Sequence, residues 1–443
     1  MAASGGVPVD AIVLADVAIV LVVGAVMVRL GRRMHQPPVV AEIAAGLMLG
    51  PSLLGLLPGD LPALLFPPEA RPGLSALAQL GLALFMFLAG WELDLGVLRG
   101  RIRSVGSTAV LAMAVPFVVG AGAAALLYRS SAPDGVGSDM FVLYMATAFS
   151  ITAFPVLARI IRDRRLGHTR VGTTAMACAA AGDVVAWCVL VLVVALAGVG
   201  GAGDASGATD GMGGLFTVIA LTIAYAVAMA FVVRPLLHRA LRLAAGGRQE
   251  TGVRLVLIVA GVLLSSYATT WIGIHAIFGA FAFGLVMPRK DAPRLHQQIG
   301  APLEKAAGLL LPVFFVITGL SVDIGGLGWS GLLALLLILV TAVVGKFAGA
   351  AIPARLSGMS WRDAGAFGTL MNTRGLTEIV ILGIGRDLGL IGPELFTSMV
   401  LMALVTTAMA GPLLRLLGVG DASPVSMAEQ PVGDRKQPIG AKG

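Results

Sequence analysis

"GTTAMACAAAGDVVAWCVLVLVVALAG" (residues 172–198) is an apolar run with one acid, Asp183, near its middle. No charged residue lies between Arg170 and Asp183, nor between Asp183 and Asp204. A membrane span needs about 20 apolar residues, and this run supplies them. An aspartate at a helix centre costs roughly 2.5–3.5 kcal/mol on insertion scales, so an intramembrane carboxylate is a functional candidate by default.

The rest of the chain has the same character. It is 57% hydrophobic and 12% charged over 443 residues, against about 25% charged for soluble domains, and its mean hydropathy is +0.93. These values define an integral membrane protein. The net charge of +7 does not point to nucleic acid, because the basic residues sit in short loops between apolar runs. Cys178 and Cys188 share one apolar run without metal-ligand spacing and read as small packing residues. The start, "MAASGGVPVD", lacks a basic n-region, so the first apolar run is expected to stay as an anchor.

Candidate spans number about thirteen at this length: 11–30, 38–57, 74–95, 105–128, 139–161, 171–198, 213–234, 252–270, 272–288, 303–321, 330–354, 363–385 and 395–417. Nearly all Arg and Lys flank alternate loops, and the opposite loops hold only Arg71, Arg129 and Arg386. One missed span would swap the sides downstream, so this bias supports the count. The basic side is cytoplasmic, which puts the N-terminus outside the cell membrane and the C-terminus inside. The loop 198–214 reads as a flexible Gly-rich linker, and the tail 418–443 as short and disordered, with no soluble domain attached at either end.

Besides Asp183, ionisable residues survive inside spans at Lys346, Arg159 and Arg374, with Glu378 one turn after Arg374. Glu42 reads as a buried structural acid, and Glu92 and Asp94 mark a membrane interface. Two spans are interrupted. In "FVLYMATAFSITAFPVLARII" (141–161), Pro155 removes a backbone donor, and Thr147, Ser150 and Thr152 stand beside the break. In "FGTLMNTRGLTEIVILGIG" (367–385), Asn372, Thr373, Arg374 and Gly375 fall in mid-span. Freed backbone groups must face protein or water, since lipid cannot satisfy them. The two spans are seven apart and so run in opposite directions. They are the fifth of each unit if residues 11–198 form one repeat, 213–234 a linker helix and 252–417 a second repeat. This is the arrangement of inverted repeats with a midplane site between discontinuous helices. At 1.5 Å per residue, Asp183 and Arg374 lie roughly 18 Å, and Lys346 roughly 12 Å, from the inner ends of their spans.

These stretches, with "QPPVVAEIAAGLMLGPSLLG" (36–55), "LFMFLAGWELD" (84–94), "GIHAIFGAFAFGLVMPR" (273–289) and "LLPVFFVITGLSVDI" (310–324), resemble the monovalent cation/proton antiporters, in particular bacterial CPA2-type sodium or potassium/proton exchangers. The resemblance implies an all-α polytopic fold with inverted repeats, a core domain holding two crossing broken helices, and a separate dimerisation domain, hence a homodimer. It implies that Asp183 is the essential carboxylate carrying a proton or a cation, and that Lys346 is the basic residue able to pair with it. Thr152 with Pro155, and Asn372 to Gly375, match the two unwound segments. The sequence departs from many relatives in having Gly182 where they carry an acid or amide directly before the aspartate. One titrating carboxylate then implies one cation per proton.

Na⁺ and K⁺ favour hard oxygen ligands, which Asp183, Thr152 and carbonyls near Pro155 supply for a transient metal ion. No resident cofactor is expected, and the protein is not read as an enzyme, because an intramembrane protease needs a second catalytic group at the depth of Asp183. Two transport rivals remain. A passive cation channel would need a filter-like signature. A sodium-coupled organic anion symporter would show no proton flux in a cation-only medium. Arg374 and Glu378 can simply pair with each other, Arg159 can snorkel to the cytoplasmic surface, and His275 reads as structural, with pH sensing as its functional alternative. Sequence does not choose among Na⁺, K⁺ and Li⁺.

Overall fold

A computed structural model describes residues 8–34, 36–92, 95–167, 169–199, 212–243, 248–288 and 295–419. Asp94, most of the Gly-rich loop and all but the start of the tail lie outside the described residues. Among those described there are helices and turns but no strand.

The first half runs α1 (Val9–Arg33), α2 (Pro38–Leu49), a short α3 (Leu61–Leu65), α4 (Arg71–Glu92), α5 (Leu95–Ser131), α6 (Ser138–Ser150), α7 (Phe154–Asp163) and α8 (Arg170–Val199). A π turn, Met229–Val233, then joins α9 (Met212–Ala228) to α10 (Arg234–Leu243). The second half runs α11 (Arg248–Ile272), α12 (Ala276–Leu285), α13 (Ala301–Leu320), α14 (Trp329–Leu356), α15 (Trp361–Met371), α16 (Leu376–Asp387) and α17 (Pro393–Leu416). Among the described residues, 10 helices are long and apolar enough to cross a membrane. The other three expected spans fall on shorter pieces: 139–161 on α6 and α7, 272–288 on α12, and 363–385 on α15 and α16.

Both interruptions occur where sequence chemistry demands them. Helix α6 stops at Ser150, and residues 151–153 are extended before α7 starts at Phe154. Pro155 therefore sits in the first turn of α7 and does not kink a continuous helix. Its missing N–H would have had no helical partner there in any case. In the second span, α15 ends at Met371 and α16 begins after Gly375, whose φ is +158°. A Cβ at Gly375 would lie 2.7 Å from Val156 Cγ2 on α7, so the two breaks approach too closely for a side chain.

The scaffold around them packs through small residues. A Cβ on Gly319 of α13 would lie 2.3 Å from the Gly46 carbonyl carbon of α2, and one on Gly284 of α12 would lie 2.2 Å from the Phe87 carbonyl oxygen of α4. Such contacts let membrane helices touch backbone to backbone. The pairs α2–α13 and α4–α12 hold corresponding positions if the second half repeats the first after seven spans. The α9–α10 stretch is the least buried of the long apolar segments.

Candidate functional site

Helix α8 buries one stripe, containing Asp183, Trp187, Leu190 and Val194, and exposes Val185 and Leu192. The spacings of four, three and four residues are those of one helix face. Asp183 thus points into the protein, where its carboxylate faces the backbone N–H of Phe154, first residue of α7. The positive end of the α7 dipole reinforces that contact. Asp183 Oδ1 has no hydrogen-bond partner.

Lys346, fully buried on α14, donates to the carbonyl of Ser150, the last residue of α6, and to Thr152 Oγ1 at 2.8 Å. Thr152 in turn donates to the Met371 carbonyl, the last of α15, at 2.9 Å. The Ala153 N–H bonds the Thr373 carbonyl at 3.2 Å, so the breaks are stitched directly to each other. Lys346 lies within electrostatic reach of Asp183, Arg374 and Glu378. Among the described residues it forms no ion pair with Asp183 within 4.0 Å; its ammonium is engaged by Ser150 and Thr152.

Arg374 and Glu378 do pair, at 2.7 Å and with both side chains fully buried. The guanidinium also donates to the carbonyls of Ala148 and Phe149 at 2.9 and 2.8 Å, so Arg374 caps the negative end of α6 from the other broken helix. Thr407 of α17 was not singled out by sequence. Its hydroxyl accepts from the Arg374 N–H at 2.9 Å and donates to the Arg374 carbonyl at 2.7 Å. Asn372 Oδ1, Thr377 Oγ1 and Glu378 Oε2 are buried without partners nearby.

Thus Asp183, Thr152, Lys346, Asn372, Thr373, Arg374, Gly375 and Glu378 gather on the segments that meet at the two breaks. The remaining candidates stand apart. Arg159 is exposed on α7, within electrostatic reach of Glu42. His275 caps α12, its Nδ1 accepting from the Ile277 N–H at 3.4 Å. Glu92 is exposed at the end of α4. Sequence reading also passed over Asp16, a buried acid in the apolar run of α1. The signal that flagged Asp183 would have found it.

Two broken helices crossing beside a buried carboxylate and lysine, in a scaffold of long apolar helices, define a multi-pass ion transporter. Comparison with known proteins makes the class specific. Residues 17–419 match the family model described as sodium/hydrogen exchanger, transmembrane, and the chain belongs to that family. It is 37% identical over 406 residues to the Na(+)/H(+) antiporter NhaS4 of Synechocystis sp., covering 91% of this chain and 96% of the relative. It is 38% identical to cation/H(+) antiporter 20 of Arabidopsis thaliana over 90% of this chain and 48% of that one. It is 32% identical to K(+)/H(+) antiporter 1 of Saccharomyces cerevisiae over 87% of this chain and 44% of that one. The chain spans about half the length of these plant and yeast relatives. Its fold matches the sodium proton antiporter MjNhaP1 of Methanocaldococcus jannaschii with TM-score 0.62 at 13% identity, covering 93% of this chain and 98% of that chain.

Proposed function

We propose that this chain is a secondary active antiporter of the cell membrane that exchanges Na⁺ or K⁺ for protons by alternating access, with Asp183 as the carrier that holds either ion in turn. The observation that carries this reading is the buried Asp183 beside the α6–α7 break, where Phe154 N–H, Thr152 and Lys346 converge. Burial disfavours a bare carboxylate. The empty carrier is therefore stabilised by Lys346, the cation-loaded carrier by the metal ion, and the remaining form by a proton. Because one acid serves both ions, each excludes the other and the two fluxes are coupled.

Thr152 Oγ1 gives its proton to the Met371 carbonyl and one lone pair to Lys346, leaving one lone pair free. An incoming cation takes Asp183 and Thr152 as ligands, along with carbonyls of the 151–153 segment, and Lys346 retreats to the Ser150 carbonyl. The stoichiometry is one for one. With Lys346, Arg374 and Glu378 charged throughout, the cation-loaded and proton-loaded cores have equal net charge. In this reading the chain crosses the membrane thirteen times with its N-terminus outside, and its halves are inverted repeats; the matched α2–α13 and α4–α12 packing supports this. A core domain moves against a dimerisation domain in a homodimer, and the C-terminal tail is cytoplasmic.

The test is proton coupling in everted vesicles with a pH-sensitive dye, adding each cation in turn. Asp183→Asn is expected to abolish the response while the protein still folds. Retained exchange in that variant would remove Asp183 as carrier.

A further inference from the structure

We propose that the basic face of α10 is a binding site for the phosphate headgroup of an anionic phospholipid. Arg234, His238 and Arg242 follow at four-residue intervals on one ridge of the helix, and Arg239 lies on the adjacent ridge beside Pro235. Together they line a shallow groove of 430 Å³. The three arginines are exposed. The side chains of Arg234 and Arg239 have no hydrogen-bond or ion-pair partner among the described residues, and the Arg242 side chain bonds only the His238 carbonyl, at 3.2 Å. Residues 212–243 contain no Asp or Glu, so the segment has no internal counter-charge.

Backbone geometry sets this face. Pro235 has no N–H, and just before it the helix widens into the π turn Met229–Val233, with the Arg234 N–H bonded to the Met229 carbonyl. The middle of α10 is tied to the scaffold, because His238 Nε2 lies 3.2 Å from the Val286 carbonyl after α12. The groove is therefore anchored at the start and the middle of α10.

The neighbouring surface selects a lipid over free phosphate. Phe231, Val232 and Leu236 are exposed on the same turns, each residue being more than half uncovered. A ligand with a phosphate and acyl chains satisfies both surfaces, whereas an inorganic ion satisfies one. Each arginine near an anionic leaflet contributes enough that three together favour anionic over zwitterionic lipid by roughly 100-fold. The inference uses the proposed membrane orientation only to place this face at the cytoplasmic leaflet; the binding itself needs no transport.

The test is thermal unfolding of the full chain in detergent, titrated separately with phosphatidylglycerol, phosphatidylcholine and inorganic phosphate. Phosphatidylglycerol is expected to raise the melting temperature, with the other two nearly inert. Replacing Arg234, Arg239 and Arg242 together by Gln is expected to weaken the phosphatidylglycerol midpoint roughly 100-fold, and Arg239→Gln alone roughly 5-fold. Arg32→Gln with Arg33→Gln, on α1, is expected to keep it. Equal stabilisation by phosphatidylcholine, an equal effect of inorganic phosphate, or an equal loss in the α1 variant would each overturn the assignment. Should the triple variant fail to fold, an unchanged midpoint in Arg239→Gln would overturn it as well. Because melting is the readout, failure here is distinguishable from failure of the Asp183 reading.

Discussion

Replacing Thr152 by Val removes one hydroxyl from the centre of the crossing at nearly constant volume. Two hydrogen bonds vanish: the donation to the Met371 carbonyl at 2.9 Å and the acceptance from Lys346 at 2.8 Å. The first is a neutral bond, worth about 1 kcal/mol, and the second involves a charged donor, worth about 1.5–3 kcal/mol. The expected stability loss is therefore about 3 kcal/mol, most of it from the Lys346 contact. Loss of a cation ligand should also raise the half-saturating cation concentration, tenfold for every 1.4 kcal/mol. Thr152→Ser keeps the hydroxyl and should retain near-normal affinity. Dye dequenching across a cation series, run on Val and Ser variants side by side, measures the affinity. A double-mutant cycle on melting with Lys346→Met measures the contact, with an expected coupling of about 1.5–3 kcal/mol. Equal half-saturation in the Val and Ser variants would refute the ligand role. Additive melting effects, coupling below about 0.5 kcal/mol, would refute the lysine contact.

Two further outcomes follow from the charges. Arg374→Met leaves Glu378 buried and unpaired and uncaps the carbonyls of Ala148 and Phe149, so thermal unfolding should show a loss of about 3–5 kcal/mol. Adding Glu378→Leu should recover part of it, and a double variant as unstable as the sum of the singles would contradict the pairing. Gly182→Asp tests the stoichiometry. A Cβ there meets nothing closer than Met113 Sδ at 3.6 Å, so the backbone accepts it. The added acid gives the cation-loaded and doubly protonated cores different charges. Exchange in proteoliposomes should become sensitive to membrane potential, while the unmodified chain is insensitive. Voltage-sensitive exchange by the unmodified chain would overturn one-for-one coupling.

Much of this site is legible in sequence because lipid is an unforgiving solvent. An ion in an apolar run, or Pro and Gly in mid-span, has few structural excuses, so Asp183, Lys346, Arg374 and both breaks stand out. The direction of the contacts is not legible. Lys346 and Asp183 suggest a direct pair, yet the lysine turns to the Ser150 carbonyl and Thr152, because the end of α6 presents unpaired carbonyls that sequence does not display. Arg374 and Glu378, one turn apart, predict their own ion pair correctly. The reach of Arg374 to Ala148 and Phe149 depends on a crossing formed by residues over 200 positions apart. Thr407 carried no signal at all, since hydroxyls in membrane helices usually bond within their own helix, as Thr406 does to Met402. Pro155 was legible as a break but not as a helix start, a distinction fixed by the extended residues just before it.

In the proposed mechanism the same contacts favour Asp183 over the more deeply buried Glu378 as the exchanging acid. Four half-helix ends meet at the crossing, and each faces a compensating group. The C-terminus of α6 has Arg374 and Lys346, the N-terminus of α7 has Asp183, the last carbonyls of α15 accept the hydroxyls of Thr152 and Thr373, and Glu378 lies in the first turn of α16. Glu378 is held by Arg374 Nη1, which also donates to the Ala148 carbonyl while Nη2 donates to that of Phe149, so the ion pair and the cap on α6 share one guanidinium. Asp183 faces one backbone N–H and a lysine with two other oxygens to hold. In the proposed cycle the lysine can withdraw without being stranded, and only Asp183 changes partner. Under the proposed alternating access, a site that opens to two solutions in turn needs one labile charge on a rigid frame, and the buried Arg374–Glu378 pair would supply the frame that leaves Asp183 free to exchange.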